Sequence, residues 1–182
     1  MNNETYRDRP ISTRNIEVNA YEYDNSAILI EGRLVDERFC ATYPMSGGLR
    51  PPGIIHDMVI RFVLRLPKMA IESIEVDMNR VPREECLNTK DSLEPLVGMK
   101  IRSGFTDRVR ERVGGVKGCT HLTALIVTMA PAAMQAAWTF AAREPLNPAK
   151  YGINALKFLE NTCQTWRSDG AAMAELRSAL EK

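Results

Sequence analysis

The sequence predicts an α+β fold: a small antiparallel sheet of two consecutive hairpins, with helices packed on one face. Apolar and polar residues alternate with a period of two over residues 15–34 and again over 58–78. Beyond Asn79 the apolar residues recur at three and four, the period of a helix. The chain has 182 residues, 45% hydrophobic and 26% charged. That balance suits one globular domain with a helical appendage, able to bury a core without disulfide or metal.

Residues 1–14 are polar and read as a mobile arm. Residues 15–145 read as the α+β domain, and residues 146–182 as a C-terminal helical extension packed on it. In the first hairpin Ile16, Val18 and Ala20 share one side; after a turn at Asp24-Asn25, Ile28, Ile30 and Leu34 share the next. A stretch rich in proline and glycine, Phe39 to Ile55, reads as a long mobile loop. Met58, Ile60, Phe62, Leu64 and Leu66 then alternate with Val59, Arg61, Val63 and Arg65, and Pro67-Lys68 turns the chain into Ile74, Val76 and Met78. Asp91-Ser92 can cap a short helix through Leu93, Leu96 and Val97. A second helix runs from Thr106 to about Arg112 and stops at Gly114-Gly115. A long helix begins near Thr120 and keeps Leu122, Ile126, Met129, Ala133, Ala137 and Phe140 in register across Pro131, which should kink it. After Pro145 to Pro148, Leu156, Leu159, Cys163 and Trp166 fall on one helical face. Asp169-Gly170 introduces an alanine-rich terminal helix.

The charge balance is 24 basic against 23 acidic residues, a net +1, which argues against a nucleic-acid partner that must be held by its phosphates. The N-terminal residues lack the apolar core of a signal peptide, so a cytoplasmic location is expected. From Leu122 to Ala142 no residue is charged. Its alanines, and the polar stripe of Thr128, Gln135 and Thr139, favour a helix half-buried on a sheet over a membrane span.

Chemistry-bearing residues are few. Cys40, Cys86, Cys119 and Cys163 are far apart, with no CxxC pair, which excludes a zinc ribbon and a thioredoxin-type redox pair. In a reducing compartment each is a free thiol, a ligand or a nucleophile. His56-Asp57 stands where the long loop meets a strand and offers an imidazole and a carboxylate. Gly118-Cys119-Thr120-His121 enters the long helix. The glycines there allow close backbone approach, and the helix N-terminus and Lys117 favour a thiolate at Cys119. Cys86 follows the last strand as a half-exposed loop thiol. Cys163, on an apolar helix face, is expected to be buried and structural, so that Cys163→Ser would be destabilising.

The HDM and GCTHL segments, the cysteine after the second hairpin, and Cys163 followed by Trp166-Arg-Ser-Asp-Gly170 resemble the bacterial family called domain of unknown function 2889, over nearly the whole chain. A remoter likeness, over about residues 25–140, is to the NifU-like iron–sulfur cluster scaffolds. In those an aspartate opens a strand, a cysteine follows the next strand, and a His-Cys pair enters a long helix. Asp57 before Met58, Cys86, and Val116-Lys117-Gly118-Cys119 are similar to that pattern. The chain departs from it at Ile55, where the scaffold has its first cysteine, and at His121, which follows Cys119 rather than preceding it. Arg112-Val113-Gly114-Gly115 stands where the scaffold has its Leu-Pro-Pro chaperone address.

The resemblance implies a metal-ion or iron–sulfur site whose ligands are Asp57, Cys86, Cys119 and His121, with His56 in reserve. Such an O, S, S, N set suits zinc or iron. A second reading makes the chain a Cys-His hydrolase or acyl-transfer enzyme. Cys119 is then the nucleophile, His121 or His56 the base, and an aspartate such as Asp57 the orienting group. A third makes it a non-catalytic subunit, whose run of alanines from Ala132 to Ala142 would dock on a protein partner or a second copy.

Overall fold

The two alternating stretches fold into one four-stranded antiparallel sheet in chain order: β1 (Ser12–Asp24), β2 (Ala27–Arg38), β3 (Gly53–Arg65) and β4 (Ala70–Arg80). The computed structural model describes residues 10–45, 47–143, 156 and 159–180. Of the arm expected over residues 1–14, Ser12, Thr13 and Arg14 are the first residues of β1, while residues 1–9 lie outside the described residues. The first turn closes as its sequence suggests: the Asp24 carboxylate accepts from the Ser26 backbone N–H at 2.7 Å.

β2 continues past Leu34 to Arg38, and β3 starts at Gly53, so the connecting loop is shorter than expected. The loop carries its own pairing, with Thr42 and Arg50 exchanging backbone hydrogen bonds of 3.0 and 2.9 Å. The Arg38 guanidinium reaches both of its ends, donating to the carbonyls of Cys40 (3.0 Å) and Pro51 (2.8 Å).

Side-chain alternation gives the sheet two different faces. The inner face carries Ile28, Ile30, Leu34, Met58, Ile60, Phe62 and Leu64, all fully buried. The outer face carries cross-strand ion pairs, in which Arg61 bridges Glu31 (2.6 Å) and Asp77 (2.5 Å), and Arg65 bridges Asp24 (2.8 Å) and Glu72 (2.5 Å).

The elements after the sheet contribute apolar faces to the core. Where a short helix was expected near Leu93, the chain forms a run of 3₁₀ turns over Glu84–Leu96. Its buried residues, Leu93 and Leu96, are three apart, the spacing that a 3₁₀ turn brings to one side. Helix α1 (Phe105–Val113) buries Phe105, Val109 and Val113 at steps of four. Helix α2 (Thr120–Ala141) begins at the expected residue and continues through Pro131.

α2 is long and apolar enough to cross a membrane by length and composition alone. However, Leu122, Leu125, Ile126, Met129 and Ala133 along it are completely buried within the protein. One face of the helix is thus packed into the core, and a third of its most apolar window is buried. It packs on the sheet at Gly32, where an added Cβ would lie 2.5 Å from Met129 Sδ. The helix is seated on a position that has no side chain.

Two compact units divide the chain, residues 1–136 and residues 137–182. In the second, helix α3 (Ala171–Leu180) buries Met173, and Arg177 pairs with Glu160 at 2.7 Å. The helical face expected over Leu156, Leu159, Cys163 and Trp166 is broken at Asn161. Asn161 has a φ of 59° and ties its N–H to the Trp166 carbonyl at 2.8 Å. A left-handed asparagine ends a helix. Cys163 therefore lies in a turn and is exposed, which corrects the expectation of a buried structural thiol. Residues 144–155, which include the expected linker Pro145 to Pro148, lie outside the described residues.

Candidate metal centre

One cross-strand row on the inner face brings charged and titratable side chains together. Arg14 of β1 is the register partner of Asp36 of β2, and Asp36 is the register partner of His56 of β3. Asp36 follows Ile28, Ile30, Gly32 and Leu34 in the inner series, so the residue is only 9% exposed. His56 precedes Met58 and Ile60 in the same way. Next to it the register skips Ile55, with Asp36 opposite His56 and Glu37 opposite Ile54. This bulge accompanies the turn of the strand into the loop.

α2 brings a fourth group to the row. His121, in its first turn, points its Nε2 to within 3.6 Å of Asp36 Oδ2. The His56 Nδ1 lies 2.9 Å from the same oxygen. The two imidazoles face each other with centroids 3.7 Å apart and planes tilted by 32°. The ligating atoms of Asp36, His56 and His121 all lie within 4.8 Å of one another. A tetrahedral ion with bonds of about 2.0–2.1 Å separates its ligands by roughly 3.3 Å, and the observed 2.9 and 3.6 Å bracket that edge. Two imidazoles and a carboxylate form a donor set that zinc and other first-row divalent ions accept. The chain thus contains a candidate Asp/His/His metal-binding triad.

The electrostatics keep the carboxylate ionised. Arg14 clamps Asp36 through two hydrogen bonds, Nε to Oδ1 at 2.6 Å and Nη2 to Oδ2 at 2.7 Å. These bonds hold the Asp36 carboxyl below its ordinary range against the opposing effect of burial. Cys119 caps α2, and its carbonyl accepts from the Thr123 N–H at 2.9 Å. Burial pushes the Cys119 thiol up, but His121 and the N–H groups of Leu122 and His121 outweigh it, and the net shift is down. Cys119 Sγ lies 3.8 Å from His121 Nδ1. His121 therefore stands between a thiol on one ring nitrogen and a carboxylate on the other.

Just before Cys119, Gly118 packs closely on the end of α1 and on the 3₁₀ run. A Cβ there would lie 2.6 Å from the Val113 carbonyl oxygen and 2.9 Å from Ser92 Oγ.

Of the residues singled out from sequence, the fold brings His56, Cys119 and His121 together. Asp57 is elsewhere. As the neighbour of His56 in a strand it points to the outer face, where it accepts from Arg33 at 2.9 and 2.8 Å. Cys86 lies in the 3₁₀ run, half-buried, with Thr89 donating to its carbonyl at 2.7 Å. It is outside the triad, as is Cys40 in the loop. Asp36 and Arg14 were not singled out from sequence. One signal for Asp36 was present: it extends the apolar series Ile28, Ile30, Leu34 by one more inward position, where a carboxylate needs a partner.

Comparison with known proteins adds one finding. A family model described as "Protein of unknown function (DUF2889)" matches residues 12–135, a stretch that contains the four strands, Arg14, Asp36, His56, Cys119 and His121. No curated protein and no solved structure matches the chain.

Proposed function

The chain belongs to the DUF2889 family, and we propose that it is a metal-binding protein that holds one divalent transition-metal ion, zinc or iron, through Asp36, His56 and His121. The observation that carries this reading is the convergence of three ligating atoms within 4.8 Å on the inner face of the sheet. They come from two strands and a helix far apart in sequence. In this reading His121 ligates through Nε2, and its Nδ1–H donates to the Cys119 thiolate. Such a bond fixes the tautomer and raises the basicity of the ligand. A mononuclear ion is proposed rather than an iron–sulfur cluster, because cluster ligation rests on several thiolates. The NifU-like likeness rests on the sheet-then-helix order and on Asp57, Cys86 and the Val116-Lys117-Gly118-Cys119 segment; the proposed Asp/His/His set differs from that ligand pattern.

Elemental analysis of protein purified without chelator tests the proposal. The expected result is close to one ion per chain, lost in Asp36→Asn and in His56→Ala. In Cys119→Ala the affinity falls by about 10–100-fold, the effect of removing a group that orients a ligand. Less than about a tenth of an ion per chain in the parent protein, with no uptake from added zinc, refutes it.

A second reading rests on His121 standing between Cys119 Sγ (3.8 Å) and Asp36 Oδ2 (3.6 Å). A thiol, an imidazole and a carboxylate in that order make a nucleophile, a base and an orienting group, suited to acyl transfer from a thioester. Asp36 then takes the role that the sequence suggested for Asp57. Mild iodoacetamide at neutral pH separates the two readings. Selective labelling of Cys119 that is indifferent to chelator favours the enzyme, and protection released by chelator favours the metal.

A further inference from the structure

Asp36 already holds a cation. The Arg14 fork engages both carboxylate oxygens at 2.6 and 2.7 Å, and His56 Nδ1 takes a further place on Oδ2 at 2.9 Å. A metal ion at the triad needs that same Oδ2, and a divalent ion there would stand close to the guanidinium with like charge. The two partners of the ion pair differ in freedom. The Arg14 side chain is 44% exposed and stands on β1, the edge strand of the sheet, whereas the Asp36 side chain is 13% exposed inside it. Arg14 can swing into solvent without disturbing a ladder hydrogen bond; Asp36 cannot leave.

We propose that Arg14 is a built-in competitor for the triad, so that the Arg14–Asp36 ion pair and a bound metal ion exclude each other and Arg14 sets the affinity of the site. This inference rests on the metal-binding reading above. It adds that the row Arg14–Asp36–His56 has two stable occupants, a guanidinium from the chain itself and an ion from solution. Release of Arg14 is then part of every binding event, and the edge of the sheet becomes the side from which the ion enters.

Zinc titration of the full chain against a fluorescent competitor chelator, on the parent, Arg14→Gln, Arg14→Lys and Asp36→Asn, tests it. Both Arg14 variants are expected to bind zinc more tightly. Arg14→Gln should gain roughly five- to tenfold, the factor that corresponds to freeing a half-exposed bidentate pair, and Arg14→Lys, which keeps the charge but not the fork, should gain less. A measurement on the parent alone stands beside the variants. The Arg14 Nε–H resonance in ¹⁵N spectra should be protected without zinc and lose that protection in step with zinc uptake. Tighter binding in Arg14→Gln together with loss of the resonance supports the proposal. If Arg14→Gln binds as the parent does, or more weakly, Arg14 is a support for the ligand and the proposal is overturned while the metal site stands. Zinc uptake by none of the four proteins overturns the metal-binding reading, and the competition with it.

Discussion

Replacing Gly32 with alanine tests how the sheet holds the candidate ligands in place. An added Cβ would lie 2.5 Å from Met129 Sδ, 2.7 Å from its Cγ and 3.0 Å from its Cε. The thioether must retreat by about 1 Å to reach ordinary van der Waals separation. Met129 is completely buried, as are its helix neighbours Leu125, Ile126 and Ala133. Retreat therefore forces either a strained rotamer or a lift of α2 from the sheet. Overpacking of this kind costs roughly 1–3 kcal/mol, equivalent to a Tm lowered by about 3–10 °C at this chain length.

The same substitution reaches the triad. Gly32 to Asp36 is four strand residues, about 13 Å. Met129 to His121 is eight helix residues, about 12 Å. The match lays α2 antiparallel along β2, with Met129 over Gly32 and His121 over Asp36. A lift at one end widens the 3.6 Å gap at the other, so zinc affinity should fall together with stability. Urea denaturation and zinc titration of Gly32→Ala, Met129→Ala and the double variant give the measurement. Met129→Ala alone should cost about 2–5 kcal/mol through the cavity it leaves. In the Gly32→Ala background it should cost at least about 1 kcal/mol less, because the methyl fills part of that space. Full additivity, or a Gly32→Ala variant as stable as the parent, would refute the claim that Met129 sets the height of the helix over the sheet.

The ion pair at Asp36 should appear in the acid limb of stability. Its folded pKa is depressed, chiefly by the Arg14 hydrogen bonds, so its contribution is complete above the unfolded value of about 4 and is lost as pH falls through and below it. The stability difference between the parent and Asp36→Asn should accordingly shrink on acidification, and a pH-independent difference in urea midpoints contradicts this. Asp57→Asn, on the outer face with Arg33, should leave zinc uptake unchanged and cost about 1 kcal/mol or less; loss of the metal in this variant moves the site to the other face. Cys163→Ser, in an exposed turn, should change stability by no more than about 0.5 kcal/mol in denaturant melts, and a loss of several times that places the thiol in a core.

Much of the sheet was legible because a strand's alternation is a local property. Ile28, Ile30 and Leu34, and likewise Met58 to Leu64, each report their own face without reference to distant residues. α1 and the start of α2 were legible for the same reason: caps, glycine stops and the helical period are read within a few residues. Cys163 was misplaced because Asn161, a residue that tolerates a left-handed conformation, ends the helical periodicity on which its burial depended. His56, Cys119 and His121 stood out by chemical type alone.

Element order, the inward and outward faces of each strand, and the reactive character of a thiol at a helix N-terminus are written into the sequence, since each depends on neighbours a few residues away. Which carboxylate joins the histidines was decided by tertiary structure. Asp57 is adjacent to His56 in the chain and is turned away from it by strand alternation, whereas Asp36 is 20 residues distant in sequence and lies opposite it in the sheet. The Arg14 clamp likewise exists only because β1 and β2 align their register. The seat of α2 on Gly32, which delivers His121 to Asp36, depends on a void that only the packed sheet creates. Register and packing are long-range quantities, set by the whole core at once, and no window of sequence contains them.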